Sequence, residues 1–434
     1  RRFAAQQHER FASVPALGSG GLEPRSAVLR TFMVARADGY AAMPGGLTRV
    51  TPAPEARDTS NQAGGLSKDT WVVASEPIRE VSLIAGESGD DTPADRSAAL
   101  PPAATENLFW LARYAERAEH GLRLMRLVMG LLRDAPEGAT AADRHCRARF
   151  LQALTRVTHT APGFLEGGPG RMDDPLPELR SVLRDPGRTG SVAFNLQAML
   201  AASHAVRDRL SRDSWRVLGS IRAHLGEGDG GEPGPELDEL VTLLAALRGL
   251  LDDTMVHSQA WSFLELGRCL ERGLLTSRLL RATVTDGREP GQDAAILEAV
   301  LHALESVNAF RRQYHEGAQA RPVLQLVLFS ESNPRAVGYQ LARLKRTLKL
   351  LPNAGAQEQL SPEQQLVLEA NTALRLANPD TLAATGERHE LDALLERVAR
   401  LLDRAARSLG AAYFSDPVGP RQLGPTRPGP REGS

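Results

Sequence analysis

Two cysteines, Cys146 and Cys269, in a chain of 434 residues cannot build a disulfide framework, and their scarcity points to a reduced, cytoplasmic setting. No uninterrupted apolar run of 18 residues and no secretory signal is read in the sequence, so no membrane partner is expected. An excess of one charge sign is missing too: 52 basic and 53 acidic side chains leave a formal net charge of -1. Nothing global draws such a chain to nucleic acid or anionic lipid, and specific binding has to come from local sites. The basic stretch 340-QLARLKRTLK-349 lacks an aromatic platform, so no nucleic-acid partner is expected. Also absent are His-Glu-x-x-His, paired Cys-x-x-Cys, Gly-x-Ser-x-Gly, the Glu-x-x-His pairs of a di-iron bundle and the P-loop spacing. These absences leave no self-contained metal, nucleophile or nucleotide motif, and no metal ligands are assigned.

What is present is ordinary globular material, 42% hydrophobic and 24% charged, long enough for two domains. The chain starts at Arg1 and runs straight into 3-FAAQQ-7, as a piece of something longer would. Up to about Pro77 the text is strand-like. A hairpin is expected from 28-VLRTFMVA-35 through the turn 36-RADG-39 to 40-YAAM-43, then a glycine-cornered strand over 44-PGGLTRV-50. The glycine turn 64-GGLSKD-69 precedes a last strand, 70-TWVVA-74. Residues 84–104, rich in Gly, Ser, Asp, Ala and Pro without period, read as a linker.

Beyond it the period becomes 3.6. Helices are expected over 105–133, 143–160, 190–225 with a break near Ser211, 236–257, 260–284, 292–316, 333–350, 362–378 and 387–412. Loops fill 161–175 and 226–236, and the Pro/Gly-rich tail 413–434 is expected to be disordered. Strands and helices are segregated, which makes the chain mainly α: a large all-α bundle over 105–412 after a small α/β piece over 1–83.

One pattern in the helical part exceeds what core packing demands. The helices 111-LARYAERAEHGLRLMRLV-128 and 266-LGRCLERGLLTSRLLRAT-283 carry the same charged residues in one register. Arg113 matches Arg268, Glu116 matches Glu271, Arg117 matches Arg272, Arg123 matches Arg278 and Arg126 matches Arg281. An apolar stripe of Leu111, Ala115, Ala118, Leu122, Met125 and Met129 faces the core and leaves those charged positions free to vary. Two readings fit. The charges form a solvated face of weak intrahelical pairs, or the two helices meet in a partly buried ion-pair network. His120 reads as a polar-face residue and Cys269 as a packed one rather than a nucleophile.

Four ordered segments, 107-NLFWLARYAERAEHGLRLM-125, 203-SHAVRDRLSRDSWRVL-218, 258-SQAWSFLELGRCLERG-273 and 333-NPRAVGYQLARL-344, resemble the bacterial alpha-E domain, an all-helical domain known for its Glu-Arg motif. The resemblance implies a polar site drawn from Glu116, Arg117, Glu119, Arg207, Asp208, Arg268, Glu271, Arg272 and Arg335, and the repeat adds Arg113. Before Val206 the family usually shows Asn-Ala-Arg, whereas 203-SHA-205 stands here. The first part, through 4-AAQQ-7, 28-VLRTF-32, 43-MPGGLTRV-50 and 60-SNQAGGLSKDTWVV-73, is similar to the C-terminal end of circularly permuted ATP-grasp proteins. That likeness implies an ATP-grasp core as partner, in the same longer chain or a neighbouring protein. ATP and Mg²⁺ are implied only where that core is supplied, with an acyl phosphate passed to an amine and a peptide or carboxylated small molecule as substrate. Gln6, Gln7, Arg30, Arg49, Lys68 and Asp69 are the nucleotide or phosphate contacts it suggests. A non-catalytic interaction module with structural Glu/Arg pairs is the alternative.

Overall fold

The computed structural model describes residues 11–73, apart from 19–20, 37–38, 44, 55–65 and 69, and residues 100–414, apart from 134–139, 166–171, 227–232, 287–289, 316 and 352–358. Gln6, Gln7, Asp69, the 3-FAAQQ-7 strand, the tail from 415 and most of the 84–104 linker lie outside the described residues. The chain forms two compact units, Arg1–Arg96 and Ser97–Ser434.

The first unit is antiparallel throughout its described strands. β1 (Ser13–Gly18), β2 (Gly21–Arg30), β5 (Leu47–Val50) and β6 (Leu66–Lys68) form one sheet in the order β1-β2-β5-β6. β3 (Met33–Arg36) and β4 (Gly39–Ala42) form a separate two-stranded ribbon. The single strand expected over 28–35 is therefore two, divided at Thr31 and Phe32 and assigned to different sheets. The last strand falls on Leu66–Lys68, inside the expected glycine turn, while Thr70–Val73 carry no strand. Pairing decides this: Val50 opposite Leu66 and Thr48 opposite Lys68 give the 66–68 segment a ladder that its own composition does not advertise.

The second unit is helical. In order it comprises α1 (Pro102–Arg133), α2 (Ala141–Thr158), α3 (Leu176–Arg184), α4 (Val192–Ala205), α5 (Arg212–Gly226), α6 (Pro233–Thr254) and α7 (Gln259–Val284). There follow α8 (Pro290–Ala303), α9 (Val307–Gln313), α10 (Ala320–Leu324), α11 (Val337–Leu348), α12 (Pro362–Leu376), α13 (Pro379–Leu382) and α14 (His389–Tyr413). Local chemistry fixes the starts. The Thr140 hydroxyl accepts the Asp143 N–H at 3.2 Å while the Asp143 carboxylate accepts the Thr140 N–H at 2.9 Å, a reciprocal box at the head of α2. Ser191 caps α4 by accepting from the Phe194 N–H at 3.0 Å.

α1 and α7 form the centre. α1 packs against α2, α4, α6 and α7, and α7 also takes α11 and α14. α7 is buried on nearly every face, from Ala260 through Ser277 without interruption. Such a helix needs small residues where its neighbours come closest, and Gly267 lies against the Phe109 carbonyl of α1. Two helices depart from expectation. α3 lies between the expected loop 161–175 and the helix expected from 190, and although short and carrying Pro177 it buries Leu179, Val182 and Leu183. The helix expected over 292–316 stops at Ala303 and restarts at Val307, because Glu305 adopts left-handed backbone with φ 50°. No helix among the described residues is long and apolar enough to cross a membrane.

Candidate functional site

The repeated helices meet. α1 and α7 run side by side in the same sense, with Phe109 at Gly267 and, further along, Glu116 at Arg272. Arg272 clasps Glu116 bidentately, Nε to Oε2 at 2.8 Å and Nη2 to Oε1 at 2.5 Å. Arg117, its counterpart on α1, donates to Glu271 at 2.8 and 3.3 Å. Each Glu-Arg dipeptide thus pairs with the other, the arginine of one copy reaching the glutamate of the second. That reciprocity is what a local two-fold relation between two related halves produces.

The symmetry then breaks. Arg113 also donates to Glu271, at 2.5 Å, whereas its counterpart Arg268 turns away to Asp252, at 3.1 and 3.2 Å, and to Glu265. Glu119 has no acidic counterpart, since Leu274 stands at that register. It accepts from Arg123 at 2.9 Å and from Arg335 at 2.5 Å, and lies 3.6 Å from Arg272. Arg335 reaches it because Asn333 fixes the preceding turn, its Oδ1 accepting the Arg335 N–H while its Nδ2 donates to Ser306 Oγ and Leu326 O, all at 3.1 Å. Aromatic faces complete the enclosure. The Arg113 guanidinium lies 4.8 Å from the Trp110 ring centre and that of Arg117 5.6 Å from Tyr114.

Burial settles the two readings of the repeat: Glu116 is 4% exposed, Glu119 4% and Glu271 1%. At the Glu-Arg pairs the solvated face is excluded and the buried network stands, while Arg126 and Arg281 at the far end of the repeat stay partly exposed. Burial pushes the carboxyl of Glu271 upwards, but Arg113 and Arg117 outweigh it and hold the group below the usual carboxylate range. Glu119 follows the same course under Arg335, Arg272 and Arg123. Arg272 is held more firmly protonated than usual, burial being outweighed by Glu116 and Glu119. Glu119, Glu271 and Arg272 are thereby held in their charged forms near neutral pH.

Other expected residues fall elsewhere. Arg207 and Asp208 lie in a short 3-10 turn, Arg207 over the Trp215 ring at 5.1 Å and the exposed Asp208 3.8 Å from Arg209, so neither joins the network. Cys269 is packed as expected, and burial, with Glu265 beside it, raises its thiol pKa well above the usual value. In the first unit, the register places Arg30 and Arg49 on one face of the sheet and Lys68 on the other, where its ammonium donates to the Pro15 carbonyl. These cations do not converge into a phosphate cradle. Sequence reasoning missed Glu265, a 1%-exposed acid shared by Arg268, Arg343 and the Cys269 thiol; a lone acid inside 259-QAWSFLELGRCL-270 was its only signal. No group of three or more metal-binding side chains occurs among the described residues.

His120 is the largest correction: it is buried rather than on a polar face. Burial, then Arg335, presses its pKa from 6.5 to about 3 against the pull of Glu119, with Arg272 and Arg123 adding to the depression. The unfolded chain therefore binds a proton that the folded chain refuses between these values, and stability is lost as pH falls below 6.5. Glu119 and Glu271, depressed in the fold, add a further loss of the same sense as pH falls below about 4.5. Urea unfolding should show wild type losing about 2 kcal/mol more than His120→Gln between pH 7.5 and 5. Parallel pH profiles for the two proteins would contradict a histidine held neutral by the fold.

An all-helical domain centred on two copies of one Glu-Arg helix, locked by reciprocal buried ion pairs, is the class that this architecture defines. Residues 100–414 match the alpha-E family, described as a predicted alpha-helical domain with a conserved ER motif, and the chain belongs to that family. Residues 1–51 match the circularly permuted ATP-grasp type 2 family. An uncharacterized protein of Mycobacterium tuberculosis strain H37Rv is 32% identical over 444 residues, covering 97% of this chain and 49% of the relative. An uncharacterized protein of Mycobacterium bovis aligns with the same identity and coverage. A second uncharacterized M. tuberculosis protein is 40% identical over 74 residues, 17% of this chain and 13% of its own length. The chain spans about half the length of the first of these relatives. No solved structure matches.

Proposed function

We propose that this chain serves an ATP-grasp carboxylate–amine ligase system, in which the helical domain handles substrate and does not itself activate the carboxylate. The observation that carries this reading is the presence, in one chain, of a segment matching circularly permuted ATP-grasp proteins ahead of an alpha-E domain. ATP and Mg²⁺ would bind in the ATP-grasp core, where an acyl phosphate forms and an amine displaces phosphate to give an amide. The described strands offer Arg30, Arg49 and Lys68 on opposed faces, so the phosphate-gripping groups would come from that core.

A second reading is favoured by the ion pairs themselves. Glu116, Glu271, Arg117 and Arg272 satisfy one another, which suits a module that holds its shape and presents it to a partner enzyme. Both readings predict that the network is structural. They separate on the complete protein, the ATP-grasp core included. With ATP, Mg²⁺, an amine and a panel of carboxylates, a substrate-handling domain is required for carboxylate-dependent ADP release, and its deletion abolishes that release while ATP binding persists. Turnover unchanged by the deletion supports the interaction module, and no ATP turnover by the complete protein with any pair contradicts the ligase reading.

A further inference from the structure

We propose that the cavity between α1, the end of α2, the start of α4 and α7 is a binding site for a carboxylate group, with Arg278 as counter-ion and His120 as neutral hydrogen-bond donor. The cavity measures about 190 Å³, room for a small acyl group, and Arg113, Arg117, His159, Asn195, Glu271 and, from α14, Asp403 are also in its lining. His120 is 6% exposed, yet its Nε2 has no hydrogen-bond partner among the described residues. A buried imidazole nitrogen left unmatched is unusual, and since this one is closed off from solvent, a small shift of the ring would bring it to a ligand in the cavity.

Arg278 supplies the charge. It occupies the register of Arg123 in the repeat, but where Arg123 holds Glu119 and Glu305, Arg278 pairs with no carboxylate among the described residues. Its Nη1 meets only His159 Nε2, at 2.8 Å, and His159 sits in left-handed backbone at the C-cap of α2. Burial lowers the Arg278 pKa; Glu271 raises it, Arg117 lowers it again, and the net direction is down, so an anion here would be stabilised. Of the two acids at the cavity, Glu271 is engaged by Arg113 and Arg117, while Asp403 acts on Arg278 only from beyond ion-pair distance.

Three arginines against two acids leave one surplus positive charge, and burial keeps both histidines from adding to it. A monoanionic carboxylate matches that surplus. A phosphate dianion would reverse the sign of a half-buried site. The site stands apart from the ligase reading, because its test needs neither ATP nor turnover.

Titration of this chain with propionate, propionamide and inorganic phosphate, followed by calorimetry and by the ¹⁵N shifts of the histidine rings, tests the assignment. Propionate should bind saturably and move the His120 ring signals, and propionamide should do neither. Arg278→Gln, at a half-buried position, should weaken propionate binding about tenfold or more, with Arg278→Lys retaining part of it. Should Arg278→Gln fail to fold, the Lys variant and the His120 signal carry the test. Equal responses to propionate and propionamide, unchanged affinity in Arg278→Gln, or tighter binding of phosphate than of propionate would overturn the proposal.

Discussion

Glu116→Gln and Glu271→Gln should each lower the unfolding free energy of the helical domain by about 3–5 kcal/mol in urea or thermal melts, because each leaves buried guanidiniums without their anion. In Glu116→Gln the stranded cation is Arg272, 5% exposed and enclosed by α1 and α7, with only Glu119 at 3.6 Å as residual partner. In Glu271→Gln two cations are stranded, Arg113 and Arg117, the second of which is nearer to solvent and recovers part of its hydration. The internal control is Glu369→Gln, whose partner Arg397 is about as exposed as the acid itself. That change should cost about 0–1 kcal/mol. Losses as small at Glu116 and Glu271 would mean that the repeat is a surface feature after all.

The second large effect is expected at Gly267. Replacing an exposed helical glycine by alanine ordinarily stabilises by about 0.4–1 kcal/mol, through backbone entropy and helix propensity. At Gly267 the added methyl would overlap the Phe109 carbonyl oxygen, a backbone atom of α1 that cannot turn aside as a side chain could. Gly267→Ala should therefore destabilise by about 1–3 kcal/mol. The separation of α1 and α7 would grow, and the 2.5–2.8 Å contacts of Arg272 with Glu116 would loosen with it. Gly249→Ala, where a methyl meets nothing within 4 Å, is the matched control and should be neutral or stabilising. The pair is read by the same chemical denaturation series, and a stabilised Gly267→Ala would refute the close approach.

How much of this could be read from the residues depends on which force decides each feature. The charged repeat was legible because Glu116-Arg117 and Glu271-Arg272 recur 155 positions apart in one register. Whether it faced water was not, since an amphipathic stripe describes a helix with one dry side, and α7 is dry nearly all round. Its buried Ser262, Thr276 and Ser277 are polar residues whose hydroxyls donate to backbone carbonyls in the fold, Ser277 to Gly273 O at 2.8 Å. The interruption at Glu305 was illegible for another reason. The apolar period runs on through 300-VLHALESVNAF-310, but the Glu305 carboxylate is held by Arg123 at 2.8 Å and by Arg126, and these tertiary pairs accompany a backbone that propensity would not choose.

The candidate polar residues divided along the same line. Those on the repeated helices, Arg268 apart, came together because packing two like helices side by side brings like registers into contact. Arg335 joined them from 216 positions away through a turn that Asn333 organises, which the 333-NPR-335 landmark contained without explaining. Arg207 and Asp208 did not, because the chain leaves α4 at Ala205 and turns outward before Arg212. The empty register of Arg278 and the unmatched nitrogen of His120 have no signature in sequence, since both are defined by the partners that the fold withholds.

The reciprocal clasp between the two Glu-Arg helices is the claim on which the rest depends, and a double-mutant cycle tests it most directly. Glu116→Gln, Arg272→Met and the double variant, unfolded in urea beside wild type, give the coupling energy of the pair free of the effects that each substitution has by itself. The buried bidentate geometry predicts a coupling of about 1.5–3 kcal/mol, with the double variant more stable than the two single losses added together. Single losses that add, with coupling within about 0.5 kcal/mol of zero, would contradict the clasp.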